Sequence, residues 1–230
     1  MPPDAADSRP FLEQVESFFM ATVQQGLALR PGDVEIARDW DRRGLPFDVV
    51  RRGIADGVRR FLATAEPHQP LPGVLKYYRT FVEAEFKAWQ RARALGFGGV
   101  SPRPVAPASD LATRAGGILE RWAGEATDGV VRAIFERAAV AVRESAPDRP
   151  IGQVIEELDD RIAADLLDAM PDDAPWHPRI EAALAAARRR GVGAAALADL
   201  ERAEVRAAAA EFAGYAGLVD ACLAEGRDEG

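Results

Sequence analysis

Apolar residues recur along this chain at steps of three and four, the spacing that aligns one face of an α-helix. Phe11, Val15, Phe18, Phe19 and Val23 form such a stripe over residues 11–25, and Gly26 follows where a left-handed C-cap is wanted. Pro31 and Gly32 open a short second helix that ends at Gly44, with Val34, Ala37 and Trp40 facing inward. Pro46 starts a third helix, whose Val50, Ile54, Val58 and Phe61 leave Arg51, Arg52, Arg59 and Arg60 to other faces. The prolines Pro67, Pro70 and Pro72 stop it. Between about Val74 and Leu95, the residues Leu75, Tyr78, Val82, Phe86 and Trp89 make the strongest amphipathic stripe of the chain.

Periodicity then breaks. Residues 96–108 (GFGGVSPRPVAPA) mix glycines and prolines without a repeat, which suits a linker better than a packed element. Beyond it, Ser109 and Asp110 can cap a helix carrying Leu111, Ala115, Ile118, Leu119 and Trp122. A further helix is expected over 127–145. The segment 151–170 shows one clean face of Ile151, Val154, Ile155, Leu158, Ile162, Leu166 and Met170, ended by Pro171. Two alanine-rich helices, 178–190 and 194–223, follow, with Gly191 and Gly193 between them. Nowhere do β-branched and polar residues alternate over a useful length, so the expected class is all-α. The expected organisation is a helical unit over 1–95, a Gly/Pro linker over 96–108, and a helical bundle over 109–230.

Composition changes this picture in three places. Of the 29 basic residues only Lys76 and Lys87 are lysine, and asparagine is absent, a bias typical of GC-rich coding DNA. Arginine abundance is therefore not read as a nucleic-acid signature. The net charge of −8 is unevenly spread, at −3 over residues 1–28, +5 over 29–104 and −10 over 105–230. Opposed halves of this kind can attract each other or sort partners by sign. No apolar stretch approaches the ~20 residues that span a bilayer, no leader pattern stands at the start, and Cys222 is the one cysteine. These features point to a cytoplasmic protein without an internal disulfide or a membrane partner.

The residues that could carry chemistry do not group into a recognisable catalytic set. His68, His177 and Cys222 are too few for a zinc site of nitrogen and sulfur ligands, and both histidines read as loop residues. Glu156, Glu157, Asp159 and Asp160, with Asp165, Asp168, Asp172 and Asp173 after them, lack the Glu-x-x-His pairs of a bundle metal centre and read as a solvated outer face. Gly191, Gly193 and Ala196 match G-x-G-x-x-A, yet they follow Arg188, Arg189 and Arg190 at a helix end rather than a strand, so helix termination accounts for them. No catalytic residue, metal or cofactor is expected.

One constellation remains. Over residues 29–89 basic and aromatic side chains interleave on helices, and Arg51, Arg52, Lys76, Tyr77, Arg79, Lys87 and Trp89 are the candidate contacts for a partner. Such residues can neutralise phosphates and stack on bases. They can equally form a core while the arginines pair with Asp39, Asp41, Asp48 and Asp56. The stretch LRPGDVEIARDWDRRGLPFDVVRRGI, followed by LKYYRTFVEAEFKAW, resembles an uncharacterised bacterial family of helical proteins, through Leu29, Pro31, Asp33, Trp40, Gly44, Pro46, Val50, Arg52, Gly53, Ile54, Tyr77, Val82 and Glu83. That resemblance implies no particular activity. More distantly, the order of elements is similar to the C-terminal domain of DnaD-like replication proteins, whose third helix carries Tyr-x-x-x-Ile-x-x-x-Trp linked to single-stranded DNA binding. Phe81 and Trp89 fall at its aromatic positions and Glu85 at its isoleucine. The expected function is a non-catalytic helical module that binds a protein, with single-stranded DNA binding as the alternative and homo-oligomerisation left open.

Overall fold

A computed structural model describes residues 10–23, 28–66, 68–94, 97, 108–145 and 149–225. The protein is all-α. Among the described residues there are ten helices and no strand: α1 (Phe11–Val23), α2 (Pro31–Arg42), α3 (Phe47–Leu62), α4 (Leu75–Ala94), α5 (Ala108–Glu125), α6 (Gly129–Arg143), α7 (Ile151–Asp168), α8 (Trp176–Arg189), α9 (Ala194–Ala213) and α10 (Leu218–Glu225). No single helix among these residues is long and apolar enough to cross a membrane. Among the described residues four glycines sit in the left-handed region, and one of them, Gly44 at φ 70°, follows α2. The Leu45 amide there reaches the Trp40 carbonyl and closes the helix end.

The chain divides into two compact units, residues 1–87 with 177–204, and residues 88–176 with 205–230. This differs from a single division at 96–108, because the first unit recruits a segment far along the chain. Most of 96–108 lies outside the described residues, but Phe97 within it is buried in the core of the second unit.

In the first unit, Val15, Phe18 and Phe19 of α1 meet a core that includes Trp40 of α2, Val50, Ile54 and Val58 of α3, and Leu75, Tyr78 and Val82 of α4, as the stripes predict. Phe18 packs edge-on to Phe47, and Phe19 edge-on to Tyr78. Helices α3 and α4 approach closely because Gly53 has no side chain: a Cβ there would stand 2.5 Å from Val82 Cα. Residues 177–204 fasten on through polar groups. The Arg190 guanidinium donates to the carbonyls of Gln69 and Glu66 at 3.0 and 2.9 Å, and the Gly193 amide donates to the Ala21 carbonyl at 2.9 Å. The glycines of the G-x-G-x-x-A stretch thus end α8, with Gly191 at φ 76°, and let the chain pass close to α1.

The hydroxyl of Tyr78 is buried and, among the described residues, meets no hydrogen-bond partner. A buried polar group left so costs about 1–3 kcal/mol. Tyr78→Phe is therefore expected to raise the stability of the protein by about 1 kcal/mol, read as a higher urea midpoint with an unchanged slope.

The second unit is a bundle of α5, α6 and α7 closed by α10, with Leu111, Ile118, Leu119, Ile134, Phe135, Ile155, Leu158, Ile162 and Leu166 at its centre. Asp128 caps α6 by accepting from the amides of Val130 and Val131 at 2.7 and 3.1 Å. Helix α5 begins at Ala108, so Ser109 and Asp110 lie in its first turn rather than before it. The expected helix over 194–223 is two helices, separated at Gly214–Gly217 where two glycines take positive φ. His177, expected in a loop, falls in the first turn of α8 because the chain becomes helical at Trp176.

Candidate interaction surface

Buried carboxylates set the geometry of both units. Asp33, 4% exposed, accepts from the Leu75 amide at 2.8 Å and so caps α4 from the first turn of α2. Asp199 is held by Arg51 through two hydrogen bonds of 3.1 and 2.9 Å, with Arg202 as a second partner. Asp159 takes the Leu218 amide and the Tyr215 hydroxyl. This corrects the reading of the α7 acids as one solvated face: Glu156, Glu157, Asp160 and Asp168 are exposed, but Asp159 is buried. A helix has no sequence mark for the one acid that meets a donor from a distant element. Among the described residues no group of three or more histidine, cysteine or acidic side chains is arranged to hold a metal.

The arginine-rich face is largely occupied by its own acids. Arg42 pairs with Asp39, Arg51 with Asp48 and Arg59 with Asp56, as the local spacing suggests. Longer-range pairs join them. Arg43 forms two bonds of 2.6 and 2.7 Å with Glu83 on α4 and lies 5.3 Å from the centre of the Phe86 ring. Arg52 reaches Glu85 at 3.3 Å. Of the candidate contacts, Arg51 is therefore drawn into the fold, while Arg52 stays exposed in its pair with Glu85. Lys76, Arg79 and Lys87 are exposed on α4, and Tyr77 is half-buried there. Trp89 belongs to the second unit, half-buried, with the Arg93 guanidinium 5.1 Å from its ring centre.

Tyr77 stands in an aromatic group that only partly faces the core. Its ring is edge-on to Phe61 at 6.2 Å and to Tyr78 at 5.0 Å, and tilted against the half-buried Phe81 at 5.9 Å. Burial pushes its hydroxyl above the usual tyrosine range, with the charge of Arg60 opposing. Phe81 and Arg60 were not among the candidate contacts. The i, i+4 spacing of Tyr77 and Phe81 could have signalled the pair, because helical neighbours at that interval share a face. In the second unit, Val130 and Val140 are exposed on α6. Val140 borders an open groove of about 580 Å³ between α5 and α6, which the Glu120–Arg143 pair also lines.

Arg43 holds the Glu83 carboxyl below its ordinary value of 4.5 through hydrogen bonding and charge, against an opposing effect of burial. Folded protein thus binds this proton less tightly than unfolded protein does. The stability it contributes is fully present above pH 4.5 and is lost as pH falls through the depressed folded value. Glu83→Gln is expected to flatten that part of the acid limb in a series of urea melts between pH 6 and 3, while other carboxylates keep theirs.

No family model, curated protein or solved structure matches the chain. The class defined here is that of a two-unit all-α protein whose described buried acids cap helices and pair with arginines.

Proposed function

We propose that the protein is a helical interaction module that binds another protein through the outer face of α4 in its first unit. The observation that carries this reading is the Tyr77–Phe81 ring pair, half-buried and braced by Phe61, beside exposed Lys76 and Thr80 one position away. Rings held by neighbours contribute contact area at little entropic cost, and aromatic anchors ringed by polar groups are the usual centres of binding energy. The positive flank favours a partner with acidic residues around an apolar anchor.

The test places a photo-crosslinking residue at the exposed positions Thr80 and Ala84 of the full chain in native lysate. A defined, stoichiometric adduct that disappears with Phe81→Ala supports the reading. A clean monomer with no adduct at either position counts against it.

Single-stranded DNA is the second reading, favoured by the exposed Lys76 and Arg79 on the helix that bears the rings. The commitment of Arg51 and Arg52 to carboxylates weakens it. It requires affinity for labelled oligonucleotides that falls steeply with salt, roughly as −0.7 per phosphate neutralised on a logarithmic plot. Absence of binding at low salt, measured by fluorescence anisotropy on the full chain, eliminates it.

A further inference from the structure

The last helix of the second unit is joined and held differently from the others. The axes of α9 and α10 differ by 67° across the break at Gly214–Gly217, and the bounding glycines sit at φ 65° and 90°. Between them the Tyr215 ring lies 5.4 Å from Trp122 and 6.2 Å from Phe135, which fixes it to α5 and α6. Its hydroxyl donates to Asp159 of α7. The same carboxylate receives the Leu218 amide, the first backbone donor of α10, and stands 3.6 Å from the Arg206 guanidinium. Helix α10 then buries Leu218, Cys222 and Leu223, while Asp220 on its other side is exposed.

A helix of eight residues is too short to persist by itself, so α10 is helical only while docked. Its attachment is the capping carboxylate, three buried side chains and an exposed ion pair between Glu225 and Arg121 of α5, next to a glycine that can change its backbone angles at low cost. Elements with so few buried contacts open at free energies below that of global unfolding.

We propose that α10 is a latch locked by Asp159. It opens about Ala216–Gly217 as a local unit, releasing the Leu218 cap and uncovering Cys222 and the faces of α5 and α7 beneath it, while Tyr215 stays against Trp122 and Phe135. This inference is independent of the proposed role of α4.

Cys222, the one cysteine of the chain, reports the opening, since burial leaves its thiol inaccessible and pushes it up to about 12 when α10 is closed. The experiment follows its reaction with an aromatic disulfide reagent in the full chain at rising urea below the unfolding transition, alongside hydrogen exchange. The expected rate is insensitive to low urea, and amides 218–225 exchange while those of 111–143 stay protected. Asp159→Ala is expected to speed labelling by about ten-fold or more with the protection of 111–143 retained. Tyr215→Phe, which keeps the Leu218 cap, is expected to have a smaller effect. A rate that climbs with urea in parallel with global unfolding overturns the latch. So does an Asp159→Ala protein that labels no faster, or one that loses protection in α5 to α7 together with α10.

Discussion

Gly53→Ala is expected to destabilise the protein by about 2 kcal/mol, although alanine is the better helix former by about 1 kcal/mol. The added Cβ would stand 2.5 Å from the Val82 Cα and 2.7 Å from the Val82 amide nitrogen. Both are backbone atoms, so no rotamer change relieves the clash and α3 and α4 must separate. Overpacking of this kind costs typically 1–3 kcal/mol or more. Gly117 on α5 is the control, since a Cβ there meets nothing within 4 Å. Gly117→Ala is expected to gain about 1 kcal/mol. Urea midpoints of the two variants should therefore move in opposite directions, and a shift of the same sign in both would refute the close approach.

Arg51→Ala is expected to cost about 3 kcal/mol. Asp199 exposes only 2% of its side chain, and removing one partner of a buried pair leaves an uncompensated charge worth about 3–5 kcal/mol. The bond remaining from Arg202 places the effect at the lower end of that range, although that arginine, more than half exposed and screened by solvent, compensates the charge only in part. Asp199→Ala should cost less, as the Arg51 side chain, 27% exposed, keeps Asp48 within 3.6 Å. The double variant should fall short of the sum of the two by about 1 kcal/mol or more, the signature of a direct pair. Additive losses would show that the pair is geometric only.

The helices were legible because burial repeats with helical period. Val50, Ile54, Val58 and Phe61 on α3, and Leu75, Tyr78, Val82 and Phe86 on α4, are buried as their spacing requires. What escaped depends on pairing across distance. Asp33, Asp159 and Asp199 look like any helical acid until the amide or guanidinium each one meets is known. Local rules found the Arg42–Asp39 and Arg59–Asp56 pairs, because three-residue spacing brings those side chains together. They could not find Arg43–Glu83, forty residues apart. The partner of Gly53 was equally hidden, since a glycine in a helix signals either tolerance or close approach and only the facing helix distinguishes them. In the first unit, Asp33 and Gly53 serve to cap α4 and to admit it. Those roles concern assembly of the first unit.

Discontinuity of the first unit has a consequence for biosynthesis. Helices α1 to α4 leave the ribosome well before residues 177–204, which supply Asp199 to Arg51 and the Arg190 clasp to the chain after α3. At translation rates of about 5–20 residues per second, the intervening 88–176 segment imposes a wait of roughly 5–20 s. During that interval Arg51 lacks its buried carboxylate partner, and the carbonyls of Glu66 and Gln69 lack the guanidinium that will bridge them. A chain truncated after α4 would remain in that unfinished condition indefinitely.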